Sequence, residues 1–233
     1  VRINKYVGVA VVCGLAGAIA AKRLIRRRKP RPPRRGDHDG WHRVPLASLD
    51  LETTGIDPLN DRVLSYALLS DVGPDINGLI NPGIPIPASS AEVHGITDVL
   101  LADAPPPAVG IAIVARWVQS LIDRGVGLVV FNAAYDLSML HVEATRWGVK
   151  QPDWERLLIV DPYVIDWGIQ RGQLGSRKLT DVAAYYSVTL DNAHDAAADA
   201  RAARGVAIEI GARHPHIAAS SLAELMRRQR SWY

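Results

Sequence analysis

Cysteine is nearly absent from this sequence, since Cys13 is the single one among 233 residues. One cysteine excludes an internal disulfide framework and a cysteine-rich zinc site, and it fits a reducing compartment. The sequence also lacks a phosphate-binding glycine loop, the His-Glu-x-x-His pattern of zinc proteases and any internal repeat. The length leaves room for one sizeable domain plus a tail.

Acidic residues are scarce at the amino-terminal end and common elsewhere. Residues 1–40 hold 11 Lys/Arg and 2 Asp/Glu, a net charge of +9, whereas residues 41–233 hold 16 and 22, a net charge of −6. A mildly acidic domain does not suit a general nucleic-acid clamp. It can still bind a polyanion where bound metal ions reverse the local charge.

Long hydrophobic runs are limited to residues 7–21, which are all apolar or small. As a helix this run spans about 22 Å, short of the roughly 30 Å of a bilayer core. Residues 22–35 follow with nine Lys/Arg and three prolines. Two interpretations stay open: a membrane contact through residues 7–21, or a disordered basic leader in a cytoplasmic protein, which we favour. We predict a leader and linker over 1–40, a folded domain over 41–213 and a helical tail over 214–233.

The folded part alternates short apolar runs with helical patterns, which predicts a mixed α/β sheet flanked by helices. The predicted strands are 46–51, 62–69, 78–81, 128–131 and 157–160. The main predicted helices are 108–122, 135–147, 179–186, 191–210 and 220–230, with Asp191 or Asn192 capping the fourth.

Two carboxylates stand out in the first predicted strand, where Asp50 and Glu52 alternate with Leu49 and Leu51. Side chains two apart in a strand share a face, so these carboxylates project side by side, about 7 Å apart at Cα. They repel each other and are costly to desolvate, and a divalent cation such as Mg²⁺ or Mn²⁺ removes both problems. The alternative is an exposed edge strand with a solvated acidic face.

Two later stretches add polar groups at element boundaries. Asp136 follows the strand at 128–131 and falls in the first turn of a helix, where helix-dipole compensation is the ordinary role. Asp199 lies in an alanine-rich helix that can pack close to the sheet, where an unpaired carboxylate is disfavoured. His194 precedes Asp199 by five residues, and taken alone it indicates a capping or surface histidine.

Together these motifs resemble the DEDDh 3′–5′ exonucleases, which include the proofreading (epsilon) subunit of bacterial DNA polymerase III. The matching segments are Asp50-Leu51-Glu52-Thr53-Thr54-Gly55, then Asn132-Ala133-Ala134-Tyr135-Asp136, then His194 with Asp199. The loop Val93-His94-Gly95-Ile96-Thr97 also looks like a segment of that family. Phe131 departs from the pattern, because many relatives carry histidine there. The resemblance covers residues 44–212.

The resemblance implies a ribonuclease H-like fold with a five-stranded mixed sheet. It implies two Mg²⁺ or Mn²⁺ ions held by Asp50, Glu52, Asp136 and Asp199, with His194 as general base. Thr53, Thr54, Gly55 and Asn132 are the implied substrate-binding residues, and Tyr135 or Phe131 could stack on a base.

The implied partners are the 3′ end of a single-stranded nucleic acid and a DNA polymerase acting in trans. Three functions follow as hypotheses: a DNA 3′–5′ exonuclease in proofreading or repair, an RNA 3′–5′ exonuclease, and a non-catalytic scaffold that binds nucleic acid. The motifs do not separate DNA from RNA, because that choice rests on contacts to the 2′-hydroxyl.

Overall fold

The structure, a computed structural model, describes residues 31–171 and 173–232. The predicted apolar segment 7–21 and the basic residues up to position 30 lie outside this range. Of the helices in the described part, none has the length and apolar character needed to cross a membrane.

A five-stranded mixed sheet forms the centre of the fold, in the order β3-β2-β1-β4-β5. Its strands are β1 (Leu46–Thr53), β2 (Val63–Ser70), β3 (Ile76–Leu79), β4 (Gly127–Val129) and β5 (Ile159–Val160). The first three pair antiparallel, whereas β4 and β5 run parallel to β1. The predicted five-stranded mixed sheet is therefore confirmed. The carboxyl ends of β1, β4 and β5 meet at one edge, which carries the site.

Helices cover both faces of the sheet. They are α1 (Ala88–His94), α2 (Asp98–Leu101), α3 (Pro107–Arg124), α4 (Ala133–Arg146), α5 (Pro162–Gln170), α6 (Leu179–Tyr186), α7 (Ala196–Arg213), α8 (Pro215–Ala218) and α9 (Leu222–Trp232). The period-two pattern of β1 divides the core. Leu49 and Leu51 pack in a cluster that includes residues of α3 and α4. Leu46 packs on the other face with residues of α5, α6 and α7.

Alanines bring α7 close to the sheet. Ala196 and Ala200 are buried against Ala67 and Leu69 of β2. This confirms the packing expected of an alanine-rich helix. The predicted start of the helix at residue 191 is wrong, however, because α7 begins at Ala196.

Asp195 caps α7, and its side chain accepts the Ala198 N–H at 2.9 Å. His194 has φ 68°, in the left-handed region, so the chain turns there instead of continuing a helix. Asp191 and Asn192, the predicted caps, lie in the preceding loop.

The segments before and after the predicted domain both lie against it. The Gly36 N–H donates to the Ala212 carbonyl at 2.8 Å, and the Trp41 indole N–H donates to the Ile217 carbonyl at 3.0 Å. At the other end, Gln229 of α9 braces the edge strand β5. Its side chain accepts the Asp161 N–H at 2.7 Å and donates to the Ile159 carbonyl at 2.9 Å.

Candidate active site

Strand β1 places Asp50 and Glu52 on one face at the carboxyl end of the sheet. Both side chains are partly exposed. Leu49 and Leu51, which alternate with them, are buried and point to the other face. The shared face that the period-two alternation predicted is therefore present in β1. This face is the one against which α7 packs.

Helix α7 brings Asp199 to the same point. Single oxygens of Asp50, Glu52 and Asp199 all lie within 4.8 Å of one another. The Asp199 Oδ2 accepts the His194 N–H at 3.2 Å, whereas its Oδ1 is buried without a hydrogen-bond partner among the described residues. An unpaired buried carboxylate oxygen is costly, and an oxygen-preferring divalent cation satisfies it. The donor set therefore fits such a cation.

Asp136, on α4, lies beside these three carboxylates but outside the set whose oxygens are all within 4.8 Å of one another. Its Oδ1 accepts the Leu51 N–H at 3.1 Å, so the side chain lies against the strand residue between Asp50 and Glu52. The entry into α4 is set by Asn132, whose φ of 62° is left-handed, a conformation asparagine tolerates. Asp161 holds this turn, because its carboxylate accepts the N–H groups of Asn132 and Ala133, each at 2.9 Å.

Burial, followed by neighbouring negative charges, destabilises the charged forms of the four carboxylates. Burial raises the pKa of Asp50 well above its ordinary value, and the charge of Asp136 is the next contribution. Burial also raises the pKa of Glu52 to about 8, followed by the charge of Asp199. Burial raises the pKa of Asp136 to about 8, although the Leu51 N–H opposes this rise. Such clustered acids with raised pKa values are typical of functional sites, and bound cations relieve their repulsion.

His194 stands at the entrance of the cluster. It is exposed and precedes the cap of α7. Burial raises the pKa of Asp199, and the His194 N–H and then the His194 ring charge lower it. His194 also lines the same cleft as Glu52.

Three of the predicted substrate-binding residues, Thr53, Thr54 and Gly55, lie at the end of β1 and in the turn after it, whereas Asn132 precedes α4. The Thr53 hydroxyl donates to the Gly55 carbonyl at 2.7 Å, and the Thr54 hydroxyl donates to Asp61 Oδ1 at 2.9 Å. A Cβ at Gly55 would lie 2.5 Å from Asp61 Oδ2, so the close approach needs glycine. The two hydroxyls thus shape the turn. Substrate contact through Thr53, Thr54, Gly55 and Asn132 stays a prediction.

Two residues make contacts at the site that the sequence did not predict. His94, in the family-like loop, shares a cleft of about 420 Å³ with Glu52 and His194, and its Nδ1 accepts the Ile96 N–H at 3.0 Å. The Tyr135 hydroxyl donates to the Gly55 carbonyl at 2.8 Å and also contacts the Thr53 hydroxyl. It therefore fastens α4 to the turn after β1. The loop that contains His94 resembles a segment of the exonuclease family, but this resemblance implied no role for His94 itself.

Known proteins share this domain. A model of an exonuclease family of the RNase T type matches residues 48–206. A DNA polymerase III subunit epsilon-like protein of Rhodobacter capsulatus is 37% identical over 118 residues, which are 46% of this chain and 16% of that protein. An uncharacterized exonuclease of Escherichia phage 186 is 28% identical over 174 residues, which are 68% of this chain and 84% of that protein.

Solved structures share the fold. E. coli exonuclease I in complex with a dT13 oligonucleotide superposes with a TM-score of 0.63 at 17% identity, over 75% of this chain and 42% of that one. Exonuclease I from Methylocaldum szegediense superposes with a TM-score of 0.60 at 20% identity, over 73% of this chain and 41% of that one. The predicted ribonuclease H-like exonuclease fold is confirmed. On its family match and its fold, this chain belongs to the RNase T-type exonuclease family.

Proposed function

We propose that this protein is a DEDDh-type, metal-dependent 3′–5′ exonuclease that releases nucleoside 5′-monophosphates from DNA. The observation that carries this proposal is the convergence of Asp50, Glu52 and Asp199, with ligand oxygens within 4.8 Å of one another. Asp136, held by the Leu51 N–H, completes the set of four carboxylates. The exonuclease family and the bound oligonucleotide in one structural relative support the substrate class.

In this proposal the four carboxylates would hold two Mg²⁺ or Mn²⁺ ions, which would supply positive charge to the phosphate oxygens during an in-line displacement. A water oxygen attacks the phosphorus of the 3′-terminal phosphodiester, and the bond from phosphorus to the 3′ oxygen breaks. His194 accepts the proton of that water at a ring nitrogen. The shortened strand keeps a free 3′-hydroxyl once its 3′ oxygen takes a proton from solvent.

The turn after β1 would place the terminal nucleotide beside the carboxylates. Gly55 lets the Asp61 carboxylate pack against that turn, and Tyr135 holds the turn in place from α4. The epsilon-like relative supports a proofreading or repair role with a polymerase supplied in trans. We include that partner in the proposal.

Substitutions in the site test this proposal. Asp50→Ala should abolish hydrolysis of a single-stranded DNA oligomer while its thermal unfolding stays cooperative. His194→Ala should lower kcat by about 10²- to 10⁴-fold with little change in KM, as expected for loss of a general base. Asp103→Asn is the matched control, because Asp103 is an exposed carboxylate between α2 and α3. Hydrolysis at the wild-type rate in Asp50→Ala would refute the proposal.

An RNA oligomer of the same sequence is the second substrate in this assay. Faster hydrolysis of RNA would move the substrate class to RNA and leave the site chemistry unchanged. Absence of turnover and of metal binding would favour a scaffold that binds nucleic acid.

A further inference from the structure

An arginine lies between two aromatic rings on the surface of α5. The Arg177 guanidinium carbon is 3.8 Å from the centre of the Tyr163 ring and 4.8 Å from that of the Trp167 ring. Tyr163 and Trp167 are four residues apart on the helix, so they share a face. We call Tyr163, Trp167 and Arg177 the stacking platform.

The platform begins at the catalytic edge of the sheet. The Tyr163 ring packs edge-on against Phe131, with centroids 5.7 Å apart. The Asp161 carboxylate accepts the N–H groups of Asn132 and Tyr163, each at 2.9 Å, and so joins the start of α4 to the start of α5. Asp136 lies one helical turn beyond Asn132, about 6 Å along the axis. A single strand that leaves Asp136 in the direction of α5 would therefore meet the platform.

The arrangement is not explained by burial or ion pairing. Trp167 is 41% exposed, unusual for a side chain that normally buries most of its surface. Within the described residues, Arg177 has no carboxylate within 4 Å. It donates to the Tyr163 carbonyl, but its Nε is buried without a partner there.

The Asp166 carboxylate, on which the Arg177 charge acts, already has a hydrogen-bond partner. Asp166 is buried and accepts the Tyr186 hydroxyl at 3.0 Å. Burial raises the pKa of Asp166, whereas the Tyr186 hydroxyl and then the Arg177 charge lower it. The Arg177 charge therefore favours the ionised form of Asp166 without a direct ion pair. Most of the five donor hydrogens of Arg177 are left for another acceptor.

The chemistry of the platform suits a single strand of nucleic acid. Guanidinium groups bind phosphate oxygens, and an exposed indole stacks on any base. The same loop carries Arg171 and Lys178, both exposed, on a domain that is acidic overall. We propose that the platform binds the single strand just 5′ of the nucleotide being removed, with a phosphate on Arg177 and a base on Trp167. This inference rests on the proposed function.

Binding in chelator tests the platform without catalysis. Anisotropy of 5′-fluorescein-labelled dT20 should show about ten-fold weaker binding to Trp167→Ala and to Arg177→Ala than to wild type. Arg177→Ala should also reduce the slope of log affinity against log salt by about one. Arg116→Ala, which removes an exposed arginine on α3, should match wild type.

Conservative variants keep the test valid if an alanine variant fails to fold. Trp167→Phe should bind nearly as well as wild type because an aromatic face remains. Arg177→Lys should keep the salt slope but bind more weakly, because a lysine does not stack as a plane. In Mg²⁺, variants that lose the stack should lose about ten-fold of the preference for hydrolysing dT20 over the methyl ester of thymidine 5′-monophosphate, which has no nucleotide on the 5′ side of the cleaved bond.

The two proposals fail in different ways. Equal dT20 affinity and salt slope in wild type, Trp167→Ala and Arg177→Ala would overturn the platform. Equal losses on dT20 and the methyl ester would also overturn it, because they would indicate a structural role. Hydrolysis of neither substrate by wild type would overturn the proposed function, and the binding comparison in chelator would still decide the platform.

Discussion

Removing one charge from the carboxylate cluster should stabilise the metal-free protein, and only at high pH. We consider Glu52→Gln, which keeps the shape of the side chain. Burial and the charges of Asp199 and Asp136 raise the pKa of Glu52 from 4.5 to about 8. The native state therefore holds this proton more tightly than the unfolded chain does.

The sign and size of the effect follow from that difference. A raised native pKa makes stability highest below about pH 4.5, and stability is lost as pH rises towards about 8. At about 1.4 kcal/mol per pKa unit, the upper limit is about 5 kcal/mol. Because Glu52 is partly exposed and its neighbours can hold protons in its place, we expect about 2 kcal/mol. That is roughly 4–8 °C in Tm for a chain of this size.

Thermal unfolding in chelator between pH 4.5 and pH 9 measures this effect. Glu52→Gln should unfold at the wild-type temperature near pH 4.5 and at a higher temperature above pH 8. Glu92→Gln, an exposed site on α1, should follow wild type throughout. Adding Mg²⁺ should raise the wild-type Tm more than that of Glu52→Gln at pH 8, because the wild type offers one more ligand. Parallel pH curves for wild type and Glu52→Gln would refute the reasoning.

Three further predictions concern the supports of the site. Arg146→Ala should lower the free energy of unfolding by about 3–5 kcal/mol in urea titrations, because it strands the fully buried Glu143 carboxylate. A loss below 1 kcal/mol would contradict that role. Gln229→Ala should cost about 1–3 kcal/mol in the same titration by removing two hydrogen bonds to the β5 segment, and an unchanged midpoint would argue against the brace. Burial lowers the pKa of His214 to about 4, so wild type should lose up to about 3 kcal/mol as pH falls from 6.5 to 4. His214→Gln should flatten that acid limb of a Tm-against-pH curve, and an unaltered limb would contradict it.

The sequence predicted the sheet and the positions of Asp50, Glu52 and Asp199 because their patterns are local. A period of two puts Asp50 and Glu52 on one face whatever surrounds the strand. The alanines around Asp199 indicate close packing through their size alone. The order of the three motifs along the chain resembles that of the exonuclease family, and this resemblance indicated the roles of Asp136 and His194.

The parts that could not be predicted depend on contacts between distant segments. Asp191, Asn192 and Asp195 are all good helix caps, and the left-handed turn at His194 with its bond to Asp199 selects Asp195. The stacking platform joins residues of α5 to Arg177, ten positions beyond Trp167, through a loop with no regular pattern.

The most direct test of the central proposal is digestion of a 5′-labelled single-stranded DNA oligomer by wild type and Asp50→Ala, in Mg²⁺, in Mn²⁺ and in chelator. We expect a ladder that shortens from the 3′ end in either metal, with no ladder in chelator or from Asp50→Ala. A ladder that persists in chelator, or the absence of a ladder in both metals, would contradict a metal-dependent 3′–5′ exonuclease acting on DNA.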